Sequence, residues 1–289
     1  MDERFAQLDE VELCYQTFGD PGERPLLLVM GLGGQLILWP DEFCRLLVER
    51  GFFVVRYDNR DCGRSTSFDG APEPDFRAIM MGDDSSAPYS LDEMADDAAG
   101  LIDHLGIDAA HVVGASLGGM IAQTLAIRHP DRVRSLCSIM STTGDRSVGV
   151  GSPKAGETLF TVGPSDRAGY VEHALAIFRI VGSPPPNFDE ARMRDTFERS
   201  YDRGLNRAGT TRQLAAVLAQ PDRTPALREL DVPAVVVHGA ADPLIDVSGG
   251  VATAEAIPGA ELIVIEGMGH DFTAMAWPRI VDAVDRVAS

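Results

Sequence analysis

Residues 111–120 read His111-Val112-Val113-Gly114-Ala115-Ser116-Leu117-Gly118-Gly119-Met120. The apolar pair Val112 and Val113 suits a buried parallel strand, and residues 120–128 repeat apolar side chains at helical spacing. Ser116 therefore lies on a strand-to-helix turn. A turn that sharp has no room for side chains two positions before and two after the serine, and both are glycine here, Gly114 and Gly118. The pentapeptide has the form of a G-x-S-x-G nucleophile elbow. Glycine and serine are common loop residues, so the motif gains meaning only if an acid and then a histidine follow later in the chain, each after a strand.

Upstream, two short alternating segments over residues 5–18, parted by Asp9-Glu10, predict an antiparallel hairpin closed off by the turn Gly19-Asp20-Pro21-Gly22. Residues 25–30 are a continuous apolar run, hence a buried strand, and end in the glycine loop Gly31-Leu32-Gly33-Gly34. Helical periodicity over 39–50 and a strand over 52–57 lead to the charged loop Asp58-Asn59-Arg60-Asp61-Cys62-Gly63-Arg64-Ser65. Asp58 and Asp61 could be a carboxylate pair for acid–base work, but the interleaved Arg60 and Arg64 favour a salt-bridged loop. Residues 66–90 form a surface excursion with periodicity only at 76–81, after which Ser90-Leu91-Asp92-Glu93 is a capping box opening a helix to about 105.

Downstream, the helix after Ser116 ends near His129-Pro130 and a strand covers 133–139. The alternation then breaks. Residues 141–228 show helical segments near 166–180, 189–201 and 206–219, interrupted by Gly182-Ser183-Pro184-Pro185-Pro186, with no core strand. A helical insertion after a sheet strand is expected to cap the carboxyl edge of that sheet. This divides the chain into an α/β core, residues 1–140 and 229–289, and a helical cap, residues 141–228. The core resumes with a strand at 234–238, the loop Gly239-Ala240-Ala241-Asp242-Pro243, a helix near 247–256, a strand at 261–265 and a last helix from about 273.

Functional groups in open α/β sheets gather beyond the carboxyl ends of the strands. That rule selects Asp242, after the strand at 234–238, and His270, in the loop Gly267-Met268-Gly269-His270. The chain order Ser116, Asp242, His270 is nucleophile, acid, base. A serine hydroxyl is a poor nucleophile at neutral pH, so an imidazole must take its proton and a carboxylate must orient that imidazole. Two backbone N–H groups must meet the oxyanion, and Leu117 and Leu32 are placed to supply them. Asp246 is the main rival to Asp242, and Asp145 a weaker one. Of the other histidines, His104, His111, His129 and His238 read as structural, while His173 in the insertion either touches substrate or is a solvated surface residue. The glycine loop at 31–34 fails as a dinucleotide fingerprint because Leu36 stands where the third glycine is required. No phosphate-binding loop or H-E-x-x-H is present, so neither cofactor nor metal is expected.

The net charge of -19 and pI near 4.6 argue against nucleic acid and anionic lipid as partners, since both would be repelled. The four cysteines, Cys14, Cys44, Cys62 and Cys137, form no C-x-x-C pair, which fits reduced thiols in the cytoplasm. The charged start of the chain holds no apolar signal core, and no apolar run reaches membrane-spanning length, so stable membrane insertion is not expected. A small-molecule ester is the expected partner, and a homo-oligomer is compatible with the sequence.

On the elbow, the segments 29–34 and 56–61, and Gly267-Met268-Gly269-His270, the chain resembles the α/β-hydrolase superfamily over nearly its whole length. Within it the chain looks like serine esterases of the aclacinomycin methylesterase type and mycobacterial esterase/lipase proteins. The resemblance implies an α/β-hydrolase fold with a mostly parallel eight-stranded sheet and a helical cap, with Ser116, Asp242 and His270 as triad and Leu32 with Leu117 as oxyanion hole. Met30 replaces the histidine of the H-G dipeptide found in many members. Serine at the elbow excludes the epoxide hydrolases and dehalogenases, whose nucleophile is aspartate. The expected function is cleavage of carboxylic esters, with a short or medium acyl chain or as the methyl ester of a larger acid, through an acyl-enzyme. Met30, Leu32, Leu117, Met268 and Phe272 are expected near the acyl group. Carbon–carbon bond hydrolysis or cofactor-free perhydrolysis on the same triad is the alternative, and a non-catalytic ligand receptor on this fold is the second.

Overall fold

The computed structural model describes residues 2–289. The predicted hairpin forms as β1 (Arg4–Gln7) and β2 (Glu12–Phe18), joined antiparallel. There follow β3 (Arg24–Val29), α1 (Asp41–Val48), β4 (Phe52–Tyr57), the short α2 (Phe76–Met80) and α3 (Leu91–His104). Ser90 caps α3 through its hydroxyl while the Glu93 carboxylate accepts from the Ser90 N–H, the reciprocal box read from the sequence. Next come β5 (Ala110–Ala115), α4 (Leu117–Arg128) and β6 (Val133–Ile139).

Between β6 and β7 the chain is helical throughout: α5 (Pro153–Thr158), α6 (Arg167–Val181), α7 (Glu190–Arg203), α8 (Arg207–Ala219) and α9 (Thr224–Leu227). Three of these match the periodic segments; α5 and α9, at 6 and 4 residues, are too short to generate a periodicity. The chain closes with β7 (Ala234–Gly239), α10 (Val247–Ala256), β8 (Glu261–Ile265) and α11 (Trp277–Val287).

The strands form one eight-stranded sheet in the order β1-β2-β4-β3-β5-β6-β7-β8. β2 pairs antiparallel with both β1 and β4; β4, β3, β5, β6, β7 and β8 run parallel to one another. Alternate residues along the strands point to opposite faces, so Leu27, Val29 and Val112 join a core under α3 and α4, while Leu26, Leu28 and Val113 join a second core under α1 and α11. Each fully buried aliphatic side chain contributes roughly 1.5–3 kcal/mol of transfer free energy. α4 is buried at every position from Leu117 to Ala126, which suits a helix whose sequence is apolar or small nearly all round.

The loop after β4 is salt-bridged, but its acids and bases do not pair with one another. Asp58 accepts from Arg203 Nη2 at 2.8 Å, and Asp61 from Arg212 Nη2 at 2.6 Å and Nε at 2.8 Å. Arg60 instead pairs with Asp97 and Arg64 with Glu3. Both aspartates are fully buried, so their partners at the end of α7 and on α8 fasten the inserted helices to the sheet. All four cysteines are buried free thiols. Among the described residues no helix is long and apolar enough to cross a membrane.

Candidate active site

The chain feeds β3, then β4 on one side, and returns to β5 on the other, so a crevice opens at the carboxyl ends of β3 and β5. Ser116 stands there between β5 and α4 with φ 56° and ψ -121°, one of three non-glycine residues of positive φ among those described. The surroundings hold it in that strained conformation. A Cβ on Gly114 would lie 2.0 Å from the Gly118 carbonyl oxygen, and one on Gly118 would lie 2.0 Å from the Val29 carbonyl oxygen. The glycines are therefore a steric necessity. The Ser116 N–H donates to the Ile139 carbonyl at 2.9 Å, and Ser141 Oγ donates to the Ser116 carbonyl at 2.9 Å.

The other two sequence candidates meet the serine. His270 Nε2 is 2.9 Å from Ser116 Oγ, and His270 Nδ1 is 2.7 Å from Asp242 Oδ2. A carboxylate only accepts, so Nδ1 carries the ring proton and Nε2 is left to accept from the serine hydroxyl. The second Asp242 oxygen, Oδ1, accepts from the N–H groups of Leu244 at 2.9 Å and Ile245 at 3.0 Å. Burial by itself would raise the Asp242 carboxyl, but the imidazoles of His270 and His238 overcome it and hold the group well below the usual carboxylate range. Neither rival bonds the histidine, although Asp145 lies on the wall of the same cavity. Asp246 caps α10 by accepting from the Ser248 N–H, and Asp145 is spent on a turn with Ser147.

Two backbone N–H groups next to the serine are candidates to meet an oxyanion, those of Leu117 and Leu32. Leu117 is the first residue of α4, where no intrahelical acceptor exists for its N–H and the helix dipole is positive. Leu32 lies in the glycine loop after β3, which approaches so closely that a Cβ on Gly31 would be 3.1 Å from Ser116 Cβ. Around Leu32 the backbone is committed: Asn59 Nδ2 donates to the Met30 carbonyl, Gly34 N–H to the Gly31 carbonyl, and Gly33 N–H to Gln213 Oε1. Among the described residues the Leu32 N–H has no acceptor.

Ser116 and His270 open into a cavity of about 970 Å³ that runs beneath α6, α7 and α8. Met30, Leu32, Leu117 and Phe272, all expected near the acyl group, line it. Met268 and His173 do not. Met268 is fully buried in the core cluster that also holds Ile265 and Trp277, on the α11 face, following Gly267 at φ 72°. His173 lies one helical turn before Ile177 on the same face of α6, beyond the cavity, with Nε2 3.4 Å from Thr161 Oγ1.

Other residues at the site carry no motif. His238, at the end of β7, is fully buried, donates from Nε2 to the Ile245 carbonyl at 2.9 Å, and stands 3.6 Å from Asp242 Oδ2. It packs against the same turn that holds Asp242, which the spacing of four residues could have suggested. Asn59, Gln213 and Ser183 support the loops that carry Leu32 and His270 from sequence distances that no local pattern encodes.

The family model described as alpha/beta hydrolase fold matches residues 24–273. The chain is 31% identical to rhodomycin D methylesterase DauP of a Streptomyces species, over 93% of this chain and 92% of that protein. It is 28% identical to 3-oxoadipate enol-lactonase 2 of Acinetobacter baylyi, over 89% of this chain and 86% of that protein. An esterase from a Rhodococcus species shares the fold at a TM-score of 0.75 and 20% identity, covering 100% of this chain and 99% of that one.

Proposed function

The chain belongs to the α/β-hydrolase family, and from that premise we propose that it is a serine hydrolase cleaving carboxylic esters through an acyl-enzyme. The observation that carries the reading is the relay from Asp242 through His270 to Ser116, with heavy atoms 2.7 and 2.9 Å apart. His270 Nε2 takes the Ser116 proton as Oγ attacks the ester carbonyl carbon. The carbonyl oxygen becomes an oxyanion, which the N–H groups of Leu32 and Leu117 meet; one such donor is worth about 10²–10³-fold in kcat. His270 then passes its proton to the departing alkoxide, leaving the acyl group on Ser116. Water, deprotonated by the same imidazole, attacks that acyl group and releases the acid. Asp242, held ionised and pinned by two N–H groups, keeps Nδ1 protonated and offsets the imidazolium charge.

The inserted helices act as a cap that encloses the substrate. A cavity of about 970 Å³ walled by Met30, Leu32, Leu117, Ile177 and Phe272 favours the methyl ester of a large apolar acid over a short acyl chain, as space left unfilled forfeits contact. The likeness to a protein named rhodomycin D methylesterase supports the same choice.

A panel of p-nitrophenyl esters from acetate to octanoate, together with methyl esters of benzoic and anthracene carboxylic acids, tests the reading. Turnover that Ser116→Ala abolishes, with kcat/KM rising toward the larger acid, is expected. No hydrolysis of any member, or hydrolysis that survives Ser116→Ala, overturns it.

A further inference from the structure

The loop that carries His270 owes much of its geometry to the helical insertion. The His270 N–H donates to the Val181 carbonyl at 2.8 Å, and the Gly269 N–H donates to Ser183 Oγ at 2.9 Å. Ser183 Oγ in turn donates to Asp271 Oδ1, which also accepts from the Ser183 N–H at 3.0 Å. Further along, Asn187 Nδ2 donates to the Gly267 carbonyl at 3.0 Å, and Thr273 Oγ1 to the Asn187 carbonyl at 2.6 Å. The backbones pack so closely that a Cβ on Gly269 would lie 2.4 Å from the Gly182 carbonyl carbon. Ser183 and Asp271 are each only 4% exposed, with Asp271 at the cavity wall.

We propose that Ser183 and Asp271 are positioning residues for His270: the closed ring Gly269 N–H, Ser183 Oγ, Asp271 carboxylate sets the imidazole from the C-terminal end of α6. The inference rests on His270 being the general base of the reaction above. The ring has two separable effects. The Ser183 hydroxyl bridges the loop and the insertion, fixing the backbone on either side of His270. The Asp271 carboxylate, adjacent in sequence, adds a negative charge beside the imidazole when it is ionised. Of the charged and titratable groups around the His270 loop, Asp242 bonds the imidazole, Asp271 is adjacent in sequence, His238 stands against Asp242, and Arg192 on α7 donates from Nη2 to the Phe272 carbonyl and acts on Asp271. Burial raises the Asp271 carboxyl, and the Ser183 bonds together with His270 offset part of that rise. Phe178 and Val181 of α6 line the cavity, so the wall that touches substrate is the wall that holds the base. A well-fitting substrate pressing on that wall preserves the alignment of His270, and the insertion becomes a determinant of kcat as well as of binding.

The test compares Ser183→Ala and Asp271→Asn with the intact chain on p-nitrophenyl butyrate, with active sites counted by burst titration and thermal unfolding recorded alongside. Ser183→Ala removes the bridge and keeps the charge; kcat per titrated site is expected to fall about tenfold with KM within twofold, the pattern of a lost transition-state alignment. Asp271→Asn keeps an acceptor for Ser183 and removes the charge; loss of a neighbouring negative charge is expected to move the acid limb of kcat/KM to lower pH. Either change in protein whose sites titrate fully supports the proposal, and if Ser183→Ala does not fold the limb of Asp271→Asn decides. A role confined to stability would lower the melting temperature of both and leave kcat per site and the acid limb unmoved, which overturns the proposal. If the intact chain itself shows no burst or turnover, it is the esterase reading that fails.

Discussion

The proposed nucleophile, Ser116, and the proposed base, His270, are held in place by different means. Ser116 is fixed by its own neighbours in sequence: a strand, a helix and two glycines whose replacement would drive a Cβ to within 2.0 Å of backbone oxygen. His270 is fixed from 80 to 90 residues away, by Val181 at the end of α6 and by Ser183 and Asn187 in the loop between α6 and α7. The elbow is a local device, and the histidine loop is a tertiary one. Ser116 therefore tolerates no side chain at Gly114 or Gly118, whereas His270 is open to adjustment from the region that also shapes the cavity.

The contrast can be broken at the elbow first. Gly118→Ala places a methyl on the Val29 carbonyl, a contact between backbone groups that no side-chain rotation relieves. A loss of at least about 4 kcal/mol in urea unfolding, or no soluble protein, is expected; a variant of unchanged stability would mean the glycine is not a steric requirement. A smaller effect lies at the foot of the elbow strand. His111 is buried against Ser135 Oγ at 2.8 Å and is pushed down to about 4 by burial. The folded state keeps it neutral down to that pH, while the unfolded chain takes up a proton near 6.5. The unfolded state thus binds more protons between the two values, and stability falls as pH drops through that window, by up to about 3 kcal/mol from this group. His111→Gln keeps a partner for Ser135 without titrating, and its stability is expected to decline less steeply from pH 6.5 to 4 in denaturant titrations. The smallest change sharpens the other side of the comparison. Asn187→Ala leaves the Gly267 carbonyl without its donor, and a loss of about 1–2 kcal/mol is expected by thermal unfolding.

The same contrast governs what the sequence could convey. Periodicity placed the sheet strands and the larger helices, and the elbow glycines led to Ser116, since both follow from rules spanning a few residues. Asp242 and His270 were legible through the order of strands alone. The two lining residues that were misassigned, Met268 and His173, needed side-chain direction: one joins the core on the α11 face, the other sits a helical turn too early. The loop at 58–65 was recognisable as salt-bridged, yet its partners Arg203 and Arg212 come from 145 and 151 residues away. Likewise nothing in Gly182-Ser183-Pro184 announces a contact with Gly269; that bond exists only because the insertion folds back over the sheet.

The central claim is that Ser116 is the nucleophile and is activated by His270. Reaction of the purified chain with a fluorophosphonate, followed by intact mass and peptide mapping, tests it most directly. One adduct per chain, on Ser116, with labelling slowed at least a thousandfold by His270→Ala, is the expected result. Labelling at another residue, no labelling at all, or a His270→Ala variant that labels as fast as the intact chain would contradict it.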